Sequence, residues 1–187
     1  MRAFIAIKLD LKIINELMNI QQELKSRIKG IRWVKPELLH ITLKFLGEIK
    51  EEDIDFLEKL LSELGNSTNS FNLSFSSLGA FPRQGDPRVI WIGVEEGAGE
   101  LYALARKIDQ LFLAHRILNK PDKTKFKPHL TLGRRNKHEE LYLHDRVFEE
   151  RWVCNSTMNV KEFYLMQSTL YPSGPIYAPL KKFSLKN

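Results

Sequence analysis

The sequence predicts an α+β fold: two similar lobes related by a pseudo-twofold axis, each an antiparallel sheet backed by helices, with a cleft between them. Three observations predict it. Short apolar runs with strand spacing are interspersed with three amphipathic helical stretches. No glycine-rich phosphate loop joins a strand to a helix, which disfavours a doubly wound nucleotide-binding sheet. One tetrapeptide, His–apolar–Thr–Leu, occurs twice in the 187 residues, as His40-Ile41-Thr42-Leu43 and His129-Leu130-Thr131-Leu132, 89 positions apart.

Each element has its own signal. Strands are predicted near 2–8, 38–46, 70–79, 88–94, 128–134, 158–170 and 176–186, where apolar residues recur with period two or in short continuous runs. A helix over 11–28 follows from Ile13, Ile14, Leu17, Ile20, Leu24 and Ile28 at three- and four-residue spacing. A second, over 51–64, carries Ile54, Leu57, Leu60, Leu61 and Leu64 after an acidic first turn, and a third, about 99–117, repeats the pattern from Leu101 to Phe112. Gly65, Gly97 and the Phe81–Pro87 segment punctuate the intervals. The chain is expected to form a single bilobal domain over 1–187. The first motif falls in a lobe around 30–95 and the second in a lobe around 96–170, with terminal strands able to cross between them.

Composition narrows the classes of function. Lys and Arg total 29 against 23 Asp and Glu, a net charge of +6, so a polyanion or phosphorylated ligand is favoured over a basic partner. Cys154 is the only cysteine, which excludes an internal disulfide framework and any cysteine-cluster metal site and suits a reducing interior. No apolar stretch approaches the roughly 18 to 20 residues of a spanning helix. The opening run turns polar at Lys8 and Asp10, too early for a secretory segment, so a cytoplasmic protein without membrane attachment is expected.

The repeated tetrapeptide is the chemical signal. With five His and six Thr, His-x-Thr should arise by chance about 0.16 times in such a chain, so two copies sharing the apolar residue and the Leu point to duplication. In a strand, His40 and Thr42 share one face and Ile41 and Leu43 the other, and the same holds for His129 and Thr131. Each copy then offers an imidazole and a hydroxyl roughly 7 Å apart. Facing each other across a cleft, two imidazoles can act as one neutral base and one protonated acid, the pair that in-line displacement at phosphorus requires, while the hydroxyls hold non-bridging oxygens. No metal or other cofactor is needed. Metal binding is the rival for any histidine pair, but His-x-Thr puts no second imidazole or carboxylate beside either His. A serine triad is unsupported because Gly-x-Ser-x-Gly is absent. A lone His at a strand end is more often structural than catalytic.

At these residues the sequence resembles the 2H phosphoesterase superfamily, and within it the RNA 2′,3′-cyclic phosphodiesterases once called 2′-5′ RNA ligases. Met1–Ile7 is similar to the family's opening strand, His40–Glu48 to its first motif, Leu78–Pro82 with Pro87–Val94 to its middle segment, Phe126–Arg134 to its second motif, and Ser168–Leu170 with Gly174–Tyr177 to its closing hairpin. The resemblance implies a bilobal fold with both motifs on the cleft floor and metal-independent hydrolysis of an RNA 2′,3′-cyclic phosphate end to a 2′-phosphate. By the family's scheme His40 protonates the departing 3′ oxygen and His129 activates water, although near-equivalent motifs allow the roles to exchange. The implied partners are RNA with a 2′,3′-cyclic phosphate end, tRNA fragments among them, or cyclic nucleotides, bound by a monomer. The reverse reaction, a 2′-5′ ligation, and RNA-end binding without turnover are the alternatives.

Further residues carry two readings each. Arg134 suits a phosphate, and the family has an arginine here. Strict alternation gives it the parity of Leu130 and Leu132, so a bulge at Gly133 is needed to turn it to the cleft. Phe45 can stack on a base, but its parity with Ile41 and Leu43 points to the core. Lys44 shares the parity of His40 and belongs at the cleft rim or on an exposed strand face. Tyr177 resembles a family position near the cleft, with core packing the alternative. Arg83, Arg88, Lys123, Lys125 and Lys127 form either a basic approach for RNA or a solvated loop. Trp33, Trp91 and Trp152 are read as packing residues, His115, His138 and His144 as surface residues, and Cys154 is given no chemistry.

Overall fold

The computed structural model describes residues 1–82, 86–117, 126–136, 138–143 and 146–187. The first half runs β1 (Arg2–Lys8), α1 (Leu11–Arg27), β2 (Ile28–Lys29), β3 (Ile31–Trp33), β4 (His40–Glu48), α2 (Ile54–Asn66), β5 (Phe71–Leu73), β6 (Phe75–Phe81) and β7 (Val89–Val94). The second runs α3 (Ala98–Ala114), β8 (His129–Arg135), β9 (Tyr142–Leu143), β10 (Met158–Val160), β11 (Glu162–Tyr171) and β12 (Gly174–Ser184). Helix α1 starts where Asp10 accepts the Ile13 N–H at 2.8 Å and ends with Lys25 and Arg27 in its last turn, placing an acceptor and cations at the ends that the helix dipole favours. The acidic Glu51–Asp53 segment forms a 3-10 turn ahead of α2 and is not part of the helix proper.

Two four-stranded antiparallel sheets carry the architecture, ordered β12-β11-β1-β4 and β3-β8-β7-β6. The units β1-α1-β4 and β7-α3-β8 are the same device, two neighbouring antiparallel strands joined through a helix. Each sheet draws on both halves of the chain: β11 and β12 of the second half join β1 and β4, and β8 of the second half joins β3, β6 and β7. Helices are exchanged as well. Helices α2 and α3 pack against β12 and β4, whereas α1 reaches the other sheet, where Gln21 bonds the carbonyls of Val34 and Leu132.

This exchange differs from the expected division into lobes at 30–95 and 96–170. The short connection after Phe81 makes β6 and β7 a hairpin, so β6 stays with β7 and β8 in the second motif's sheet. Conversely β11 and β12 lie in the first motif's sheet. The strand expected over 70–79 is divided into β5 and β6, and that over 158–170 into β10 and β11, with β5 and β10 pairing in a small separate ladder. One continuous apolar core runs beneath both sheets, from Ile5, Ile7 and Ile41 to Ile92, Leu130 and Leu132. Among the described residues no helix is long and apolar enough to cross a membrane.

Gln21 is 1% exposed and sits where α1 crosses beneath the second sheet. Its Nε2 donates to Leu132 O at 2.8 Å and to Val34 O at 3.0 Å, while the Val34 N–H also donates to Leu132 O at 2.8 Å. Replacing it strips buried acceptors of a donor. Gln21→Leu is therefore expected to lower stability by about 1 to 3 kcal/mol, read as a lower urea midpoint at unchanged slope.

Candidate functional site

The first motif lies on β4, the edge strand of its sheet, and the second on β8 inside the other sheet, and just beyond each motif's threonine the register slips by one residue. On β1, Lys8, Ala6 and Phe4 alternate on one face, and their partners on β4 are His40, Thr42 and Phe45. The step from Thr42 to Phe45 is three residues, because β4 carries an extra residue opposite the Ile5/Ala6 step. Leu43 and Lys44 consequently both turn inward and Phe45 turns out. Phe45 is 66% exposed and not in the core where parity puts it. Lys44, expected at the cleft rim, is 7% exposed and pairs with Asp109 of α3 at 2.6 Å.

The second motif repeats the arrangement. Gly93, Trp91 and Val89 alternate along β7, and their partners on β8 are His129, Thr131 and Arg134. Here too the last step is three residues, so Leu132 and Gly133 are both buried and Arg134 rejoins the face of His129. The bulge needs glycine: a Cβ on Gly133 would collide with the Ile31 side chain. The shared carbonyl of Leu132, gripped by Val34 and Gln21, fixes the extra residue from below.

The two imidazoles have matching surroundings. His40 Nδ1 lies 2.7 Å from Leu38 O, and His129 Nδ1 lies 2.6 Å from Lys127 O, in each case the carbonyl two residues upstream. A carbonyl only accepts, so Nδ1 carries the proton, and in the neutral ring Nε2 is the basic atom. Thr42 Oγ1 is 2.9 Å from His40 Nε2. Each ring packs against two aromatics. His40 meets Phe4 and Tyr177 at centroid distances of 5.1 and 5.2 Å, and His129 meets Phe81 and Trp91 at 5.1 and 6.0 Å. The Trp91 indole lies over Gly79, where a Cβ would strike it.

Burial pushes both imidazoles below the ordinary histidine value, opposed by the backbone hydrogen bond of each, and the Arg134 guanidinium adds to the depression at both. The same guanidinium opposes the upward push that burial gives the Tyr177 phenol. Arg134 is thus a common electrostatic neighbour of His40, His129 and Tyr177. Strands β4 and β8 lie side by side where the sheets meet. A hollow beside His40 is lined by Phe4, Lys8, Glu37, Met166, Tyr177 and Pro179.

Other expected residues fall as follows. Tyr177 is half-buried against Phe4 and His40, and so packs at the site itself. Lys127 lies over the Trp91 ring at 4.2 Å, beside His129. Trp91 and Trp152 are buried, Trp152 donating to Val147 O at 2.9 Å, and Trp33 packs against the core edge. His115 packs on Phe56 and His138 is exposed. Burial and Glu16 push the Cys154 thiol up to about 12, which keeps it unreactive. Arg88 ends the connection to β7, its N–H donating to Phe81 O at 2.7 Å. Arg83, Lys123, Lys125 and His144 lie outside the described residues. Among the described residues no three His, Cys, Asp or Glu side chains cluster as metal ligands would. Sequence reasoning missed Phe4, which packs on both His40 and Tyr177, and Arg32, the cross-strand partner of Arg134.

Comparison with known proteins gives a concordant result. The family model described as LigT like Phosphoesterase matches the chain twice, over residues 7–91 and 92–177, one motif in each match. An Archaeoglobus fulgidus protein named RNA 2′,3′-cyclic phosphodiesterase is 42% identical over 184 residues, covering 98% of this chain and 99% of that protein. The crystal structure of a Thermus thermophilus protein superposes with a TM-score of 0.84 at 31% identity, covering 100% of this chain and 98% of that one. Escherichia coli LigT complexed with 3′-AMP superposes with a TM-score of 0.78 at 27% identity, with the same coverage.

The shared guanidinium makes a direct expectation. In NMR titration of the free protein, His40 and His129 should protonate with midpoints below about 6.5, and Arg134→Met should move both upward, because removing a nearby cation favours the charged imidazole. Movement of only one midpoint would show that Arg134 serves a single motif.

Proposed function

The chain belongs to the LigT like Phosphoesterase family, and on that footing we propose that it is an RNA 2′,3′-cyclic phosphodiesterase in which His40 and His129 supply the acid and the base. The observation that carries this reading is the twofold repetition of one arrangement. Each repeat presents an imidazole with its Nδ1 proton tied to the backbone, a threonine on the same face and a third side chain brought round by a bulge.

The chemistry follows from that geometry. His129 Nε2 takes a proton from water as its oxygen attacks phosphorus, and His40, protonated, gives a proton to the 3′ oxygen as its bond to phosphorus breaks. The product is a 2′-phosphate with a free 3′ hydroxyl. Thr42, Thr131 and Arg134 hold the non-bridging oxygens as charge builds on them. In the free site both imidazoles are held low and are mainly neutral at pH 7. An anionic phosphate between them offsets the Arg134 charge and lets His40 take up its proton. The near-equivalence of the motifs allows the roles to exchange with substrate orientation. No step calls for a metal.

The substrate is an RNA end bearing a 2′,3′-cyclic phosphate, tRNA fragments among them, with cyclic nucleotides as minimal versions. Phe45 supplies an open ring on the site face for a base, and Lys127 adds positive charge beside His129. Both imidazoles come from one chain, so a monomer suffices. The buried single thiol suits the cytoplasm.

Hydrolysis of a cyclic-phosphate-ended oligonucleotide in excess chelator, with the 2′- and 3′-phosphate products resolved, tests the reading. His40→Ala and His129→Ala should each lose roughly 10²-fold or more in kcat. Loss at one alone contradicts the paired scheme, and undiminished binding without any product would make the protein an end-binding module. Since kcat/KM reports the free enzyme, its bell should peak on the acid side of pH 6.5, where one depressed imidazole is neutral while the other is still protonated. Phe45→Ala should raise KM about 5- to 50-fold with kcat little changed, the range expected for one stacked base.

A further inference from the structure

Arg32 is the cross-strand partner of Arg134. Its neighbours Ile31 and Trp33 pack against the core, so Arg32 projects to the opposite side, the face of His129, Thr131 and Arg134, and it is exposed. Directly opposed side chains on one sheet face stand about 4.5–5.5 Å apart at Cβ, and like charges there are destabilising. Charges turned the other way are neutralised: Arg135, the next residue of β8, pairs with Asp86, and Lys44 pairs with Asp109. Among the described residues neither Arg32 nor Arg134 has an ion pair or a side-chain hydrogen bond. Two adjacent guanidiniums left unneutralised on the cleft side form a site for phosphate oxygens.

Their order along the sheet identifies the phosphate. His129, Thr131 and Arg134 run outward along β8, and Arg32 lies one strand further, on the sheet edge. Arg134 shares the sheet face of His129 and Thr131, on the same strand as both, which places it toward the reacting phosphate. We propose that Arg32 holds the phosphodiester that precedes the cyclic phosphate, which makes the site selective for oligoribonucleotide ends over 2′,3′-cyclic mononucleotides. This rests on the cyclic phosphodiesterase reading above and names its substrate class. A mononucleotide has one phosphorus group and leaves Arg32 without a ligand. An oligonucleotide engages both guanidiniums, one on each phosphate.

The test compares wild type with Arg32→Met on an oligoribonucleotide ending in a 2′,3′-cyclic phosphate and on 2′,3′-cyclic AMP. For the oligonucleotide, KM should rise about tenfold with kcat within about twofold, as for loss of one charge-assisted contact remote from the reacting bond. The slope of log kcat/KM against log salt should become shallower by about 0.7, the contribution of one phosphate contact on a single strand. Constants for cyclic AMP should not change. Arg32→Lys, which keeps the charge without the fork, should recover much of the loss. Equal losses on both substrates would place Arg32 at the reacting phosphate and overturn the proposal, as would no loss on either. Binding of an oligoribonucleotide 2′-phosphate against adenosine 2′-monophosphate makes the same comparison without turnover. A wild-type chain that cleaves neither substrate therefore overturns the cyclic phosphodiesterase reading, while this binding comparison still decides the role of Arg32.

Discussion

One additional residue in each of two strands decides what faces the cleft. Antiparallel pairing fixes which side each residue takes, and a ladder without slips would send Arg134 into the core with Leu130 and Leu132. The slip after Thr131 buries two successive residues, Leu132 and Gly133, and returns the chain to the open face one position late. The slip after Thr42 does the same with Leu43 and Lys44. Everything beneath the sheets accommodates those doublets. Gln21 of α1 grips the Leu132 carbonyl, and Asp109 of α3, at nearly the same place in its own helix, receives the Lys44 ammonium. A backbone irregularity of this kind leaves polar groups to be satisfied, and at the second motif Gln21 meets one of them, the Leu132 carbonyl.

The site that results is matched in its imidazoles and unmatched beyond them. Both rings are tied through Nδ1 to the same relative carbonyl and wedged between aromatics, so neither can rotate without losing a hydrogen bond and ring packing. Fixed rings of this kind suit proton transfer, which depends on holding the donor and acceptor atoms in place. Arg134 breaks the balance. It lies on one motif yet depresses the basicity of both imidazoles, which links the protonation of the pair to whatever anion comes to rest against it.

Much of this was legible in the residues. His-x-Thr alternation put each imidazole and hydroxyl on one side, and helical periodicity located α1, α2 and α3 to within a few positions. Parity failed for Phe45 and Lys44 because a bulge leaves no trace in a period-two pattern. In the second motif Gly133 offered a mark, and in the first Lys44 occupies that place and offers none. A linear repeat does not reveal which sheet a hairpin joins, so the place of β6 beside β7 is visible only in the strand pairing. Strand β3 has three residues, too few to show a period, so Arg32 could be found only from register. Gln21 reads as one more polar residue of an amphipathic helix until the second sheet is seen to lie against it.

The exchange of β8 and β11 also bears on how such a molecule can originate. A half-length chain would hold β1 and β4 without β11, and β6 and β7 without β8, leaving both sheets unfinished. Two such chains could complete each other only as a symmetric assembly, with an identical residue in the third place of each motif. Joining them in one polypeptide lifts that restriction. An aromatic ring can then stand on one wall and a guanidinium on the other, which gives a cavity of twofold descent a direction.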